Sequence, residues 1–282
     1  MALVPFPTKG AKPALTEDLE PDWDDHDPES GGGKMSFLDH LDELRRRIIY
    51  SVVGVGIGFV IAFVYIEEIF AFILRPMQLM LPAGQTMIYT DPAEAFFLKI
   101  KIALMAGLIG ASPIVFSQVW LFIAPGLYAH EKKLAIPFII MSSVFFAAGA
   151  AFSHYVVFPI VWLFFADQAT DFLTFTPRVE PSFSMYLRLI LALGLTFELP
   201  TIVLFLARMG MVTAGFMFRH IKYAALIIII AAAILSPDGG GVGMLAMGGP
   251  VFVLYVFSIG LAWAFGKRRK KSEPTEAEPP TA

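Results

Sequence analysis

The chain contains no cysteine. Disulfides, thiolate metal sites and cysteine nucleophiles are therefore excluded. Charge is also scarce: 16% of the residues are Asp, Glu, Lys or Arg, where a water-soluble domain carries about 25%. What charge there is lies in the two ends and a few short clusters. A glycine-rich phosphate cradle with its lysine is missing, which removes the ATPase reading. No internal repeat is visible. The net charge of −3 says little, because the two ends largely offset one another.

What is present in excess is apolar sequence: 57% of the residues are hydrophobic. Six runs stand out, at Ile48–Ile66, Ile102–Ala124 with Pro113 inside, Leu134–Val157, Leu189–Ala207 interrupted by Glu198, Tyr223–Leu235 and Val242–Phe265. A bilayer crossing needs about 20 helical residues. The fifth run is short, about 20 Å of helix. It counts as a span because the basic clusters flanking the sixth run would otherwise fall on inconsistent sides. The pattern predicts an all-α, polytopic protein of the cytoplasmic (inner) membrane with six transmembrane helices. Residues 1–34 carry eight acids and the Gly31–Gly33 run, and read as a disordered acidic tail. Residues 35–266 form the membrane domain. Residues 267–282 are a basic cluster and a Pro/Glu tail, also unfolded by composition.

Lys and Arg set the orientation. With a cytoplasmic N-terminus, 16 of the 21 basic residues fall inside, among them Arg45, Arg46, Arg47, Lys132, Lys133, Arg208, Arg219, Lys222 and Lys267–Lys271. Arg75, Lys99, Lys101, Arg178 and Arg188 fall outside. Both termini are thus expected in the cytoplasm. Lys99 and Lys101 fit this least well, and are expected to snorkel. Two external loops result, 67–97 and 158–186. The first holds a helical stretch Glu67–Leu74 ended by Pro76; the second is punctuated by Pro159, Pro177 and Pro181.

Three places carry chemistry. The segment SFLDHLDELRRRI, Ser36–Ile48, reads as an amphipathic helix entering span one, with Phe37, Leu41, Leu44 and Ile48 on one stripe. Its acids either pair internally, Asp42 with Arg46 and Glu43 with Arg47, for about 0.3–0.5 kcal/mol each, or await a cationic partner. Glu131, where span three begins, either complements a helix dipole or offers a surface carboxylate. Glu198 lies within span four, flanked at helical spacing by Gly194 and Thr201. A charge at a helix centre costs about 2.5–3.5 kcal/mol on insertion scales, so such an acid is functional by default. Pro200 cannot donate to the carbonyl of Thr196, so a kink is expected beside it. The plain alternative is a protonated Glu198 bonded to the freed backbone.

HLDELRRRI (His40–Ile48), PAEAFF (Pro92–Phe97), QVWLFIAPGLYAHEKK (Gln118–Lys133), YVVFPI (Tyr155–Ile160), FELP (Phe197–Pro200) and LSPD (Leu235–Asp238) succeed one another in an order that resembles the TatC family. These are signal-peptide receptors of twin-arginine protein translocases. The resemblance implies a concave, glove-like arrangement with short fifth and sixth spans. It implies that Glu43 and Glu131 receive the paired arginines of a folded precursor's signal peptide, with Arg45 and Phe122 at sensitive positions beside them. Glu198, with Gly194 and Thr201, would face an intramembrane cavity, and Pro76 and Asp238 would be family positions of the external loops. The implied partners are TatB-like and TatA-like single-span proteins, further copies of the receptor and the lipid bilayer; nucleic acid is not among them. Export would run on the proton-motive force, without catalysis, cofactor or metal. The chain departs from the family after LSPD, where GGGVGMLAMGG replaces a frequent Ser-Gln pair, and at Ser258, where relatives often carry Glu. Two other classes stay open on the residues alone: a proton-coupled secondary transporter using Glu198, and an insertase with a similar groove.

Overall fold

A computed structural model describes residues 37–81, 85–123, 135–170, 172–236 and 241–266. The chain divides into two compact units, residues 1–41 and 42–282. Of the first, only residues 37–41 are described, the opening turn of helix α1 (Phe37–Val64); the second holds all the other described residues. Among the described residues all regular structure is helical, with two isolated β-bridges, Ile88 with Arg178 and Thr170 with Leu173. The tail assignments for 1–34 and 267–282 lie outside the described residues.

Four helical stretches are long and apolar enough to cross a bilayer: Leu38–Val64, Ala135–Ala166, Val179–Arg208 and Gly241–Phe265. The pair α3 (Glu94–Gly110) and α4 (Ser112–Ile123), bent by 54° at Ala111, is long and apolar enough for a fifth when taken together. Pro113 has no N–H to give back to the preceding turn, which accounts for the bend. Helix α10 (Ile221–Leu235) has 15 residues, about 22 Å at 1.5 Å per residue, short as the sequence suggests. The last helix, α11 (Gly241–Phe265), runs for 25 residues, so the sixth run is not short. A small helix α9 (Ala214–Arg219), its N-terminus capped by Thr213 Oγ1 accepting from Phe216 N, precedes α10.

Helices extend beyond the apolar runs where the expectation was loop. Helix α2 (Ile66–Leu79) continues through Pro76 instead of ending before it. Ile66, Ile73, Leu74 and Met77 are buried on one face, and that packing outweighs the hydrogen bond lost at the proline. Span three is α5 (Ala135–Phe152), a π-helical turn Ser153–Val157 and α6 (Phe158–Ala166). The segment from 158 is helical because the widened turn passes Phe158 N–H to Ser153 O, and Pro159 then falls in the first turn of α6, where no N–H is needed. Likewise Pro181 lies in the first turn of α7 (Val179–Thr196).

In lipid, helices are held by close packing rather than by hydrophobic burial, and small residues let backbones meet. A Cβ on Gly149 of α5 would lie 2.8 Å from Leu193 O and 2.9 Å from Gly194 Cα of α7. Gly194 in turn faces the ring of Phe146. A Cβ on Gly107 of α3 would lie 2.5 Å from Phe59 N, and one on Gly54 2.8 Å from Ile114 Cγ2. Span one is thus held against the bent pair α3–α4 along one stripe. Between these contacts Ile102, Val157, Phe158, Phe183, Leu189 and Leu193 form a buried core.

Candidate functional site

The charged first turns of α1 place Glu43 and Arg47 one turn apart. The Arg47 guanidinium donates from Nε to Glu43 Oε1 at 2.6 Å and from Nη1 to Gln118 Oε1 of α4 at 3.2 Å. Of the two internal pairs that the spacing suggests, this one forms. Asp42 and Arg46 are exposed and make no ion pair among the described residues. Arg45 is exposed as well. Phe122 is half-buried on α4, one turn beyond Gln118, so Glu43, Arg47, Gln118 and Phe122 lie at one end of spans one and two. Glu131 and Asp238 lie outside the described residues.

Glu198 sits where span four breaks. Helix α7 ends at Thr196, a turn covers Phe197 and Glu198, and α8 (Leu199–Arg208) starts with Pro200 in its first turn. The expected kink is thus a short break around the acid. Glu198 is 5% exposed and Thr201 fully buried. The Ser142 and Thr201 hydroxyls lie beside the carboxyl group, while Glu198 Oε1 and Thr201 Oγ1 have no hydrogen-bond partner among the described residues. Ser142 Oγ accepts from Trp120 Nε1 at 3.0 Å. A serine hydroxyl has one proton to give, and with the indole filling one lone pair that proton is available to Glu198. Trp120 is fixed by Phe138, stacked at 4.9 Å, and Phe205, edge-on at 4.9 Å. The acid is therefore enclosed by α4, α5 and α8. Gly194, one turn away, contacts Phe146 and Gly149 instead.

On the opposite side from Glu43, sequence reasoning missed Glu94. Its carboxylate, 8% exposed as a residue, accepts from Thr90 N at 3.1 Å, Asp91 N at 3.4 Å and Glu180 N at 2.9 Å, with Arg178 Nη2 at 3.7 Å. It ties two loops distant in sequence. The available signal was the spacing of Asp91 and Glu94, in which an acid three residues after another at a helix start reaches back to the entering backbone. Lys99 and Lys101, which fit the orientation least well, pair with Glu67 at 2.5 Å and Glu180 at 2.7 Å. Pro76 lies within α2, whose Phe72 stacks on His154 at 4.6 Å. His154 Nδ1 is 2.9 Å from the Tyr186 hydroxyl.

The chain matches the family described as Sec-independent protein translocase protein (TatC) over residues 39–250. A protein of that name from Koribacter versatilis is 40% identical over 252 residues, 86% of this chain and 92% of the relative. One from Desulforapulum autotrophicum is 38% identical over 245 residues, 87% of this chain and 90% of the relative. Two solved structures share the fold. A twin-arginine translocase receptor TatC crystal structure superimposes with a TM-score of 0.69 at 34% identity, over 79% of this chain and 97% of that one. A second, in the detergent DDM, gives 0.70 at 33% identity, over 79% and 99%. On sequence and on structure alike, this chain belongs to the TatC family.

Proposed function

We propose that this multi-pass membrane protein, a non-enzymatic component of the Sec-independent translocase, is the signal-peptide receptor and core subunit of a twin-arginine system. Folded precursors present two arginines to Glu43 and Glu131, and export draws on the proton-motive force. Six spans, both termini in the cytoplasm and single-span TatA-like and TatB-like partners complete the proposal.

The observation that carries it is the place of Glu43 on α1, beside Gln118 and Phe122 of α4, in a chain of the TatC family. A guanidinium offers a planar fork of donors that matches a carboxylate, which an ammonium does not. At Glu43 a guanidinium is already in place at 2.6 Å. The pair is half-buried, with side chains 18% and 24% accessible. A signal-peptide arginine can replace Arg47 at Glu43 by exchange of one guanidinium for another, while Arg47 keeps its bond to Gln118. Weak polar exchange then supplies selectivity, and the signal's apolar stretch supplies affinity. Enclosure of Glu198 by Trp120, Ser142 and Thr201 suits a structural part in this membrane domain better than the proton site of a secondary transporter.

The test is site-specific crosslinking of a twin-arginine signal peptide to the full-length protein in membranes. Glu43→Gln and Glu131→Gln are each expected to weaken crosslinking with insertion intact, and a twin-lysine peptide to crosslink poorly to the native chain. Undiminished crosslinking by the double variant refutes the assignment.

A further inference from the structure

Span four carries two arginines 20 residues apart, Arg188 and Arg208. That separation is about 30 Å of helix, one hydrocarbon thickness. Arg208 faces the ring of Phe265 at 5.8 Å. Arg188 is exposed and has no ion pair among the described residues. Its guanidinium therefore stands at a bilayer boundary, on the surface of the helix, without a counter-charge.

Below Arg188 on the same helix face is an apolar groove of about 420 Å³ between α7, α8, α10 and α11, lined by Leu195, Thr196, Leu199, Ala224, Ile228 and Tyr255 among others. Leu195 and Leu199 lie seven and eleven residues after Arg188, the spacing that keeps side chains on one stripe. They lie about 10 and 16 Å deeper. The two hydroxyls lining the groove are already spent: Thr196 Oγ1 donates to Ala192 O at 2.7 Å and Tyr255 Oη to Met217 O at 3.0 Å. Nothing in the groove calls for a polar occupant, while the guanidinium above it calls for an anion. From Ala224 to Ala231 the groove is about 10 Å long. A headgroup phosphate with an acyl chain running beneath it matches a cation standing above an apolar groove, which suits a phospholipid.

We infer that Arg188 and this groove form a phospholipid site, in which the guanidinium holds the phosphate and an acyl chain lies along Leu195 and Leu199. Arg is the residue suited to the phosphate, which it binds with paired donors. The lipid belongs to the leaflet at the Arg188 end, the external one in the proposed topology; the site itself does not depend on that topology. A lipid held here lines the edge that the short helix α10 shares with span four.

The experiment is native mass spectrometry of the delipidated full-length protein in detergent. The probes are dioleoyl phosphatidylglycerol and dioleoylglycerol, which share acyl chains and differ in the phosphate. One phosphatidylglycerol is expected to be retained by the native chain about ten-fold more tightly than by Arg188→Gln. Arg188→Lys should fall between, and dioleoylglycerol should not distinguish the three. Ala231→Phe, which fills the groove with Arg188 intact, should also release the lipid. Thermal unfolding in detergent checks that each variant is folded. Equal phosphatidylglycerol binding by the native chain and Arg188→Gln overturns the proposal in favour of annular lipid alone. Disulfide-linked dimers of an Ile227→Cys variant in membranes overturn it in favour of a second copy on this face.

Discussion

Removing the Ser142 hydroxyl tests the enclosure of Glu198. Ser142 is 1% exposed and Trp120 6%, so in Ser142→Ala the indole N–H at 3.0 Å loses its acceptor with no water to replace it. A buried donor left without a partner costs about 1–3 kcal/mol. In membrane proteins the average per polar contact is lower, about 0.6 and at most about 1.7 kcal/mol, because the unfolded chain in lipid also finds partners. The expected loss is therefore about 1–2 kcal/mol, a fall in Tm of roughly 2–8 °C at 2–4 °C per kcal/mol. Trp120→Phe removes the donor and keeps a ring against Phe138 and Phe205. The double variant should then be less destabilised than the two singles added together, with a coupling of about 1 kcal/mol. The assay is unfolding of the purified protein in detergent, monitored by near-ultraviolet circular dichroism. Strict additivity, or a Ser142→Ala protein as stable as the native one, refutes the reasoning.

The packing leads to three further outcomes. Gly107→Ala should prevent span one from docking, since its Cβ would lie 2.5 Å from Phe59 N; Gly56→Ala, which meets nothing within 4 Å, should stabilise by up to about 1 kcal/mol through helix propensity, and protease resistance in membranes separates the two. Glu94→Gln should loosen both loops tied to its carboxylate, read as faster amide hydrogen exchange at Thr90, Asp91 and Glu180 with little change elsewhere. Four leucines inserted after Ile230 lengthen α10 by about 6 Å and remove the mismatch that would thin the bilayer beside it; signal-peptide crosslinking should survive while export falls, and unimpaired export by the inserted variant excludes thinning from the mechanism.

The all-helical class and the four long spans were legible because apolar run length carries that information directly. Helix ends were not, because they depend on packing. Pro76 and Pro159 look like stops, yet buried Ile73, Leu74 and Met77 carry α2 through the first, and a π-turn moves the second into a tolerated position. Glu198 was legible by its cost in an apolar run. Its partners Trp120 and Ser142 come from spans two and three, and no local spacing points to them. Glu43 was visible as an acid one turn before an arginine, whereas the bond from Arg47 to Gln118 joins residues 71 apart and needs the tertiary structure. Gly107 and Gly149 read as ordinary residues of apolar helices; only their facing backbones reveal them as contact points.

Helix α4 joins the two acids. Its 12 residues carry Gln118, which holds Arg47 beside Glu43, and Trp120, which holds Ser142 beside Glu198. The two partners are two residues apart, so they ride on the same turn and project about 160° apart around it. Beyond them lie Ile114 against Gly54 and, past the 54° bend, Gly107 against Phe59. Span one thus meets α4 and α3 at three heights on one stripe, and most of its length is exposed. The α5–α7 crossing is also backbone against backbone, at Gly149, but far more of those two helices is buried than of span one. A change of load at Arg47 falls on the lightly held side of the molecule. The Trp120 indole, held between Phe138 and Phe205, fastens α4 to α5 and α8 beside Ser142 and Glu198. The hydrogen bond from Trp120 to Ser142 is the polar contact by which α4 meets α5 beside Glu198, which is why the Ser142 and Trp120 variants are the ones to carry into export assays.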